Sequence, residues 1–530
     1  MQRRLTLLLV IFVVVVAGLL PLTAMLAKSL SVDGQWTLAV YARLFADPAQ
    51  HWTPIGHSLT LAGLTAAGAT LLGVPLGLLL GKTDLPLRRA LAVLLSVPLV
   101  LPPYVLAVCW FNLLGSDGMI SRIIPASTTQ VLSAWLFGLP GCVWVLVSAF
   151  MPVVMLLTLV YLRAVNPRLE EAGRLQAPWP PILREITLPM ILPGILFGAT
   201  LVFLLALGEV GVPMYLHYPV FPVETLTQFA AFYDFGAAAA AATPLLAIAV
   251  LVLGLERHYL RDKVYRLRPA TPDRQMLRVP LGRWRGSALL ATGTLAAAVV
   301  ALPLLALLAS SLSPYAYPEA WSKAADSLGR SLLFAALGAT LLTVLGFFCG
   351  YLIHHRALRL WRAVDTLTLL LFTLPGTVVG VGLIALWNRP ATGFLYASAA
   401  MVILAYLAQY MAITSRITLA TLGNVPPSLE EAAQLAGAPW FARIRHVVLP
   451  VALPGVAAAW LIGFLFCLRD LGASMLVYPA GQETLPVRIY TLMANGAPSL
   501  VSALCVILVA ATLMSLAALG ALMRHLGRQS

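Results

Sequence analysis

Apolar stretches of about 20 residues or more recur along the chain and alternate with short polar segments. A transmembrane helix needs about 20 consecutive, mostly apolar residues, so this pattern predicts membrane-spanning helices. We count twelve stretches, at 5–29, 57–81, 90–114, 138–162, 191–215, 236–255, 287–312, 329–353, 363–387, 393–415, 451–477 and 500–523. We therefore expect an all-α integral membrane protein with about 12 transmembrane helices.

Composition supports the same class. Of the 530 residues, 60% are hydrophobic and 10% are charged, whereas about a quarter of the residues in a soluble domain are charged. The five cysteines lie in or at the edges of apolar stretches and form no CxxC or Cys/His cluster. This arrangement predicts buried thiols, with neither a metal site nor a disulfide framework.

The distribution of basic residues predicts the topology. Arg and Lys concentrate in every second polar segment: Arg3, Arg4, Lys82, Arg88, Arg89, Arg163, Arg168, Arg174, Arg184, nine residues of 256–285, Arg356, Arg359, Arg362, Arg416, Arg443, Arg445, Arg524 and Arg528. This positive-inside pattern places both termini in the cytoplasm, with the first stretch kept as a helix rather than cleaved as a signal peptide. The net charge of +14 is thus a topology signal and predicts no nucleic acid partner.

The chain contains an internal duplication. "FLLALGEVGVPM" at 203–214 aligns with "FLFCLRDLGASM" at 464–475, and "VLPPYVLAV" at 100–108 resembles "TLPGTVVGV" at 373–381. Each half has six apolar stretches, and an even number returns the chain to its starting side, so the halves are parallel repeats. We expect a first half over 1–255, a basic cytoplasmic linker over 256–285 and a second half over 286–530.

A polar segment also occurs twice, as "EEAGRLQAPWPPILREITLPMILPG" from Glu170 and "EEAAQLAGAPWFARIRHVVLPVALPG" from Glu430. Asn166–Pro167 and Pro426–Pro427 are typical helix starts, followed by acids in the first turn. Gly437 can end the second helix with a left-handed turn. We expect a helix-turn-helix on the cytoplasmic face. One copy would suit an interfacial amphipathic helix equally well, but two copies favour a binding surface for a symmetric partner.

This segment resembles the EAA loop of ATP-binding-cassette (ABC) importer permeases. The second copy, over 427–450, matches through Glu431, Ala432, Ala433, Gly437, Leu449 and Pro450. The first copy, over 167–189, keeps Glu171, Ala172, Leu188 and Pro189, but it has Gly173 in place of alanine and lacks the turn glycine. The two loops are therefore expected to differ in their turns and need not couple equally.

The resemblance implies the type I importer permease fold, as two permeases fused in one chain of the bacterial inner membrane. It implies that both loops, with Glu170 and Glu430, dock a homodimeric cytoplasmic ABC ATPase, and that a periplasmic binding protein delivers the substrate. The fused arrangement resembles the branch that transports ferric iron, thiamine, polyamines or phosphonates. ATP and Mg²⁺ would be bound by the ATPase, and this chain would bind no cofactor and contact membrane lipids.

One motif could be mistaken for a nucleotide site. "GLLLGKT" at 77–83 has three residues between its glycines, where a P-loop has four, and it ends an apolar stretch instead of following a strand. We interpret Lys82 as a cytoplasmic anchor of its helix, and His354 and His355 as interfacial residues. ATP hydrolysis is therefore expected in a separate polypeptide, and this chain is not expected to be an enzyme.

Charged residues inside apolar stretches are candidates for the translocation path or its gate. Glu209 and the pair Arg469 and Asp470 occupy equivalent repeat positions, and each acid follows the Leu-Pro of its loop by 20 residues. That is about 30 Å of helix, which reaches the far side of the membrane. Polar helix ends satisfied by backbone or water explain these residues equally well.

Two proline motifs interrupt the third and ninth stretches. They are Leu101–Tyr104, with Pro102, Pro103 and Tyr104, and Leu374–Thr377, with Pro375 and Gly376. Proline removes a backbone donor, so the helix bends there and freed carbonyls need partners. We expect packing or bending here ahead of substrate contact.

Two other classes of protein fit twelve spans in parallel halves. A secondary transporter has such repeats, but it has no ATPase to dock and does not explain the duplicated loop. A membrane enzyme would need a metal cluster or a nucleophile–base constellation, and the stretches show neither.

Overall fold

The structure is a computed structural model that describes residues 2–32, 35–44, 46, 48–232, 234–260 and 277–526. The described part is mainly helical, with one antiparallel hairpin, in which β1 (Ser31–Val32) pairs with β2 (Gln35–Trp36), and an isolated bridge between Thr83 and Val279. Within it, ten helices are long and apolar enough to cross a membrane, and two sharply bent helix pairs bring the total to twelve. The predicted all-α membrane fold is confirmed.

The helices of the first half alternate between long spans and short connecting helices. They are α1 Gln2–Ser29, α2 Ala39–Leu44, α3 Pro48–Lys82, α4 Arg88–Val100, α5 Pro103–Leu114, α6 Ala126–Leu136, α7 Leu139–Leu162, α8 Pro167–Arg174, α9 Trp179–Leu207, α10 Gly211–Tyr215, α11 Phe221–Ala230 and α12 Phe235–Leu260. The predicted linker 256–285 follows, and its residues 261–276 lie outside the described residues.

The second half repeats this order. Its helices are α13 Gly282–Ser311, α14 Ala316–His355, α15 Trp361–Thr373, α16 Gly376–Trp387, α17 Gly393–Tyr396, α18 Ala400–Leu422, α19 Pro427–Leu435, α20 Trp440–Arg469, α21 Ser474–Val477, α22 Leu485–Asn495 and α23 Pro498–Leu526. Short 3₁₀ turns occur at Ile120–Arg122 and Pro390–Thr392.

Several predicted span boundaries were wrong. The stretches predicted at 191–215 and 451–477 are each two helices, because α9 ends at Leu207 and α20 at Arg469. The tenth span is α18, which begins at Ala400 instead of 393, where Ser398 Oγ accepts the Ala400 N–H at 3.3 Å. The eighth span, α14, begins at Ala316, about three turns earlier than predicted.

Four described helices contain a π-helical turn, and a Leu-Pro pair follows each one directly. The turns are Val15–Leu19, Leu183–Thr187, Ala297–Ala301 and Ile444–Val448. Proline lacks an N–H and its ring clashes with the carbonyl four residues earlier, and in each case that carbonyl lies inside the π turn. The wider turn relieves the clash without breaking the helix. The π turns also place Pro21 and Pro303 at equivalent positions of the two halves. This equivalence was not predicted from the sequence.

The described chain forms two compact units. One contains residues 1–52, 221–246 and 314–530, and the other contains 53–220 and 247–313. In the first unit α1 packs against α14, α16 and α18, and Leu7, Val10 and Ile11 join the same buried cluster as Phe347 and Leu352. In the second unit the C-terminal part of α13 packs against α5. The first span of each predicted half thus packs with helices of the other half.

The proline motifs produce bends much larger than an ordinary kink. The axes of α4 and α5 meet at 104°, and those of α15 and α16 at 112°. Leu101 and Leu374, which precede the prolines, have extended backbones with ψ of 144° and 145°, the conformation that a following proline enforces. Each motif therefore ends one helix and starts the next in a new direction.

Candidate functional site

The first polar loop is fixed to its own unit by a buried carboxylate. Helix α8 begins at Pro167, where Asn166 caps it by accepting the Arg168 N–H at 3.2 Å. One turn later Glu170 points inward with 1% of its side chain exposed. It bonds Lys82 Nζ, and its other oxygen accepts the Thr187 hydroxyl at 2.8 Å.

This contact changes the interpretation of Lys82. The sequence suggests a cytoplasmic anchor, but the structure places Lys82 at the end of α3 with 3% of its side chain exposed and its charge paired with Glu170. The ammonium also lies 5.9 Å from the centre of the Trp179 ring at the start of α9. The loop is therefore joined to α3 and α9 by groups buried away from water.

The second polar loop holds its equivalent acid in a wetter setting. Glu430 of α19 has 17% of its side chain exposed and accepts the Tyr351 hydroxyl at 2.9 Å. His355 Nε2 and Arg443 Nε each lie 3.7 Å from its carboxylate. The Trp440 indole donates to the Tyr351 hydroxyl at 3.2 Å. Here three weaker partners replace one buried lysine.

The two acids have corresponding partners in the repeat. At the spacing of 273 residues that relates Val100 to Thr373, Lys82 corresponds to His355. The sequence analysis treated His355 as an interfacial residue and missed its acidic partner. The signal was present, because the same alignment places a basic residue at the end of the second span of each half.

The turns of the two loops differ as the sequence predicts. Gly437 has a φ of +82°, the left-handed region that favours glycine. The Ala438 N–H donates to Ala433 O and the Gly437 N–H to Gln434 O, both at 3.0 Å, a Schellman end. Among the described residues 167–189 no backbone has a positive φ. There α8 ends with the Ala177 N–H donating to Gly173 O at 2.9 Å.

The outer sides of both loops face away from the protein. Glu171, Ala172, Glu431 and Ala432 are exposed, whereas Gly173 and Ala433 are half-buried. A leucine at the end of each short helix is even more exposed: Leu175 and Leu435 are both 89% exposed. These leucines were not predicted as site residues from the sequence, although they occupy matching positions 260 residues apart.

The Leu-Pro pairs connect each loop to its span. Leu188–Pro189 and Leu449–Pro450 follow the π turns of α9 and α20, which run without a break from the tryptophan of the loop to the far end of the span. The predicted second short helix of each loop is thus the first turn of the span itself. Each loop therefore leads directly into a continuous helix of 29 or 30 residues.

The charged gate candidates lie where these helices end. Glu209 Oε1 accepts the Gly211 N–H at 3.1 Å at the start of α10. Asp470 accepts the Ser474 N–H at 2.8 Å at the start of α21 and the Tyr410 hydroxyl at 2.6 Å. The Arg469 guanidinium lies 4.2 Å from the centre of the Phe466 ring. Both acids therefore cap the following short helix, which supports the simpler of the two interpretations from the sequence.

The proline motifs start buried helices. Pro102 and Pro103 begin α5, and Tyr104 is 1% exposed in its first turn. Pro375 precedes Gly376 at the start of α16. A Cβ on Gly376 would lie 2.7 Å from the Ala473 backbone nitrogen. Gly376 therefore allows a close backbone approach, as the packing interpretation expects.

Among the described residues no group of three or more His, Cys, Asp or Glu side chains is placed to hold a metal ion.

Comparison with known proteins agrees with this arrangement. The profile of the binding-protein-dependent transport system inner membrane component family matches residues 73–263 and 342–528. Each match contains one polar loop and one proline motif, and each begins after the first span of its half. The chain therefore carries two copies of the family's domain.

Relatives with named functions also cover most of the chain. A ferric transport system permease protein of Actinobacillus pleuropneumoniae is 23% identical over 470 residues, which are 83% of this chain and 67% of the relative. An Fe(3+)-transport system permease protein of Haemophilus influenzae is 23% identical over 450 residues, 82% of this chain and 83% of the relative. A spermidine/putrescine transport system permease protein of the same species is 28% identical over 184 residues, 35% of this chain and 70% of the relative.

The two domain matches together cover well over half of the chain. With its helical spans, duplicated loops and lengthwise similarity to fused permeases, this chain belongs to the family of binding-protein-dependent transport system inner membrane components.

Proposed function

We propose that this chain is the permease of an ABC importer and that α8 and α19 dock a separate, homodimeric cytoplasmic ATPase. The observation that carries the proposal is the matched pair of exposed leucines, Leu175 and Leu435. Each lies at the end of a short helix whose glutamate, Glu170 or Glu430, points inward and binds the rest of its unit. A short helix with an exposed apolar residue beside a glutamate is suited to a groove on a partner protein.

The buried contacts supply a route for motion. Glu170 links α8 to α3 through Lys82 and to α9 through Thr187. Glu430 links α19 to α14 through Tyr351 and to α20 through Arg443. When the ATPase closes, a displaced loop would therefore pull on two spans in each half. ATP and Mg²⁺ belong to the ATPase, and this chain supplies the mechanical link without a cofactor.

Ferric iron is the proposed substrate, because relatives that each match more than four fifths of this chain are named as ferric permeases. Thiamine, polyamines and phosphonates remain the other candidates from the fused branch. The positive-inside pattern supports cytoplasmic termini and loops. The extracytoplasmic ends of the spans, with Glu209, Arg469 and Asp470, would then face the binding protein and the gate, and lipids would surround the spans.

Capture of the ATPase tests this assignment. Leu435→Asp and Glu431→Lys should each reduce co-purification of the ATPase and its stimulated ATP turnover, and so should Leu175→Asp in the first loop. Ile123→Asp is the matched control, because Ile123 is 80% exposed in a segment outside both loops. Normal capture and turnover in all three loop variants would overturn the proposal.

A further inference from the structure

A cavity of about 280 Å³ lies in the unit of residues 1–52, 221–246 and 314–530. Its apolar wall comes from α16, with Val381 and Ile384, and from Phe229 and Phe235, whose rings meet edge to face at 5.4 Å. These side chains form the apolar part of the cavity lining, which we call its floor.

The polar part of the cavity is basic. Lys28, Asn388 and Arg389 line it, and none of its lining residues is acidic. Both cationic side chains are exposed, and neither forms an ion pair with any residue in the described part of the chain. The cavity therefore presents two positive charges and an amide above an apolar floor.

The lysine is not a general requirement of this helix end. The segment "LPLTAMLAKSL" at 20–30 corresponds to "LPLLALLASSL" at 302–312, which places Ser310 where the first copy has Lys28. The two helices share the π turn and the proline that follows it, yet only the copy beside the cavity carries the cation. The repeated helix end therefore does not itself require a cation at the position of Lys28.

The cavity lies at the end of its unit opposite the polar loop. The Arg3 guanidinium lies 5.6 Å from the centre of the Tyr351 ring, and Tyr351 bonds Glu430 of the second loop. Helix α1 continues from there to Ser29, so Lys28 is about 38 Å farther along the helix at 1.5 Å per residue. A bilayer with its headgroups is about 40–45 Å thick, which puts the cavity at the level of the opposite headgroups.

We propose that this cavity binds an anionic phosphate group on the extracytoplasmic side. Arg389 suits two phosphate oxygens at once, Lys28 adds a second charge, and the Asn388 amide adds a neutral donor. The floor accepts the carbon atoms attached to the phosphate. The group could belong to an anionic phospholipid of the outer leaflet or to a small soluble phosphate ester, since both present the same chemistry.

Occupancy would stabilise one arrangement of the gate helices. The ligand would contact the end of α1 and the end of α16 together, and these helices already pack closely, since a Cβ on Gly382 would lie 3.0 Å from Pro21 O. Through Gly376, α16 also approaches the segment that precedes α21. The site therefore has a position from which it can bias the helix ends around Asp470.

Two probes distinguish the sources. The full chain in nanodiscs of phosphatidylglycerol and phosphatidylcholine is released for native mass spectrometry, and retained phosphatidylglycerol is counted. In nanodiscs of phosphatidylcholine alone, glycerol 3-phosphate is titrated by ³¹P NMR. In the Lys28→Gln/Arg389→Gln variant we expect binding of at least one probe to fall by about tenfold or more, since the variant removes both charged hydrogen-bond donors of the cavity.

Two further variants separate the site from general charge. Arg122→Gln removes an exposed arginine outside the cavity and should leave both probes unaffected, whereas Ala385→Phe keeps every charge, fills the cavity and should reduce binding. Loss of phosphatidylglycerol in the double variant identifies a lipid site, and loss of glycerol 3-phosphate identifies a solute site. Equal binding of both probes by the wild type and the double variant, or an equal loss with Arg122→Gln, would overturn the proposal.

Discussion

At the scale of single residues, the two inward glutamates show how a repeat can keep a position and change its energetics. Glu170 meets a buried ammonium, whereas Glu430 meets a tyrosine hydroxyl at hydrogen-bond distance and two basic groups at 3.7 Å. A buried charge that loses its partner is strongly destabilising, while a partly exposed pair is screened by water. The first loop is therefore held mainly by one contact, and the second by several.

We predict that Lys82→Met lowers the stability of the permease by about 3–5 kcal/mol, because it leaves the Glu170 carboxylate buried without its cation. Replacing both members of the ion pair by apolar residues, in Lys82→Met/Glu170→Met, should recover most of the lost stability. Thermal melting of the purified permease in detergent measures both variants.

A substitution in the second loop is the control for the Lys82→Met and Lys82→Met/Glu170→Met variants. Glu430→Gln, in a site that is 17% exposed, should change stability by about 1 kcal/mol or less. A Lys82→Met protein as stable as the wild type, or a double variant no better than the single one, would contradict the buried ion pair.

The inward acids also show where residue-level prediction succeeds and fails. Sequence places both glutamates in the first turn of a helix, because proline and acid are typical of that position. It does not show which of two adjacent glutamates points inward, since Glu170 and Glu171 are alike in composition and differ in the direction of their side chains. That direction is fixed by Lys82, which is 88 residues away in sequence.

At the scale of elements, the short loop helices α8 and α19 end by different means. Gly437 supplies a left-handed turn, while α8 ends with right-handed backbone at Leu175. An L-residue in the left-handed region costs about 1–2 kcal/mol. The second loop is therefore sensitive to a substitution that the first loop tolerates.

We expect Gly437→Ala to destabilise the second loop by about 1 kcal/mol and to reduce ATPase stimulation in the assembled complex. Gly173→Ala is the matched change in the first loop. Its new methyl would meet Ile186 Cδ1 at 3.0 Å, the end of a side chain that can shift, so its effect should stay within about 0.5 kcal/mol. Melting temperature and ATP turnover measure both, and equal effects would contradict the structural difference.

Spans are predictable from sequence to the extent that apolar length defines them. Each of the twelve predicted stretches overlaps a described membrane-spanning helix or bent helix pair. Their interruptions depend on capping contacts, such as Asp470 with Ser474, and hydropathy does not register these contacts because the flanking residues remain apolar. The same limit explains why the proline motifs predicted bends but not angles of 104° and 112°.

At the scale of the whole molecule, the internal repeat and the compact units divide the chain differently. Sequence similarity places α1 with the first half, whereas its buried side chains pack with α14, α16 and α18 of the second half. The internal repeat reflects the duplication of the sequence, whereas the compact units are determined by the apolar helix surfaces that contact one another. No periodicity in one sequence distinguishes an apolar helix that packs with its own half from one that packs with the other.

A disulfide between α1 and α15 tests whether the first helix packs with the second half of the chain. A Cβ on Gly18 would lie directly against the Leu371 side chain, so Gly18→Cys/Leu371→Cys should form a disulfide when the native cysteines are replaced. With a protease site inserted at 261–276, the oxidised, cleaved permease should run as one band and separate on reduction. Gly18→Cys alone is the control, and two bands without reduction would contradict the described packing.

The placement of α1 also bears on synthesis at the ribosome. The unit of residues 53–220 and 247–313 has all its segments once residue 313 has emerged, but the other unit needs residues near both ends of the chain. Domains made during synthesis fold as their segments appear. The first helix to enter the membrane would thus wait, with its packing face against lipid, for a partner translated more than 300 residues later. The order of insertion and the order of assembly are therefore opposite for α1, and shielding it in the meantime falls to lipids or to the insertion machinery.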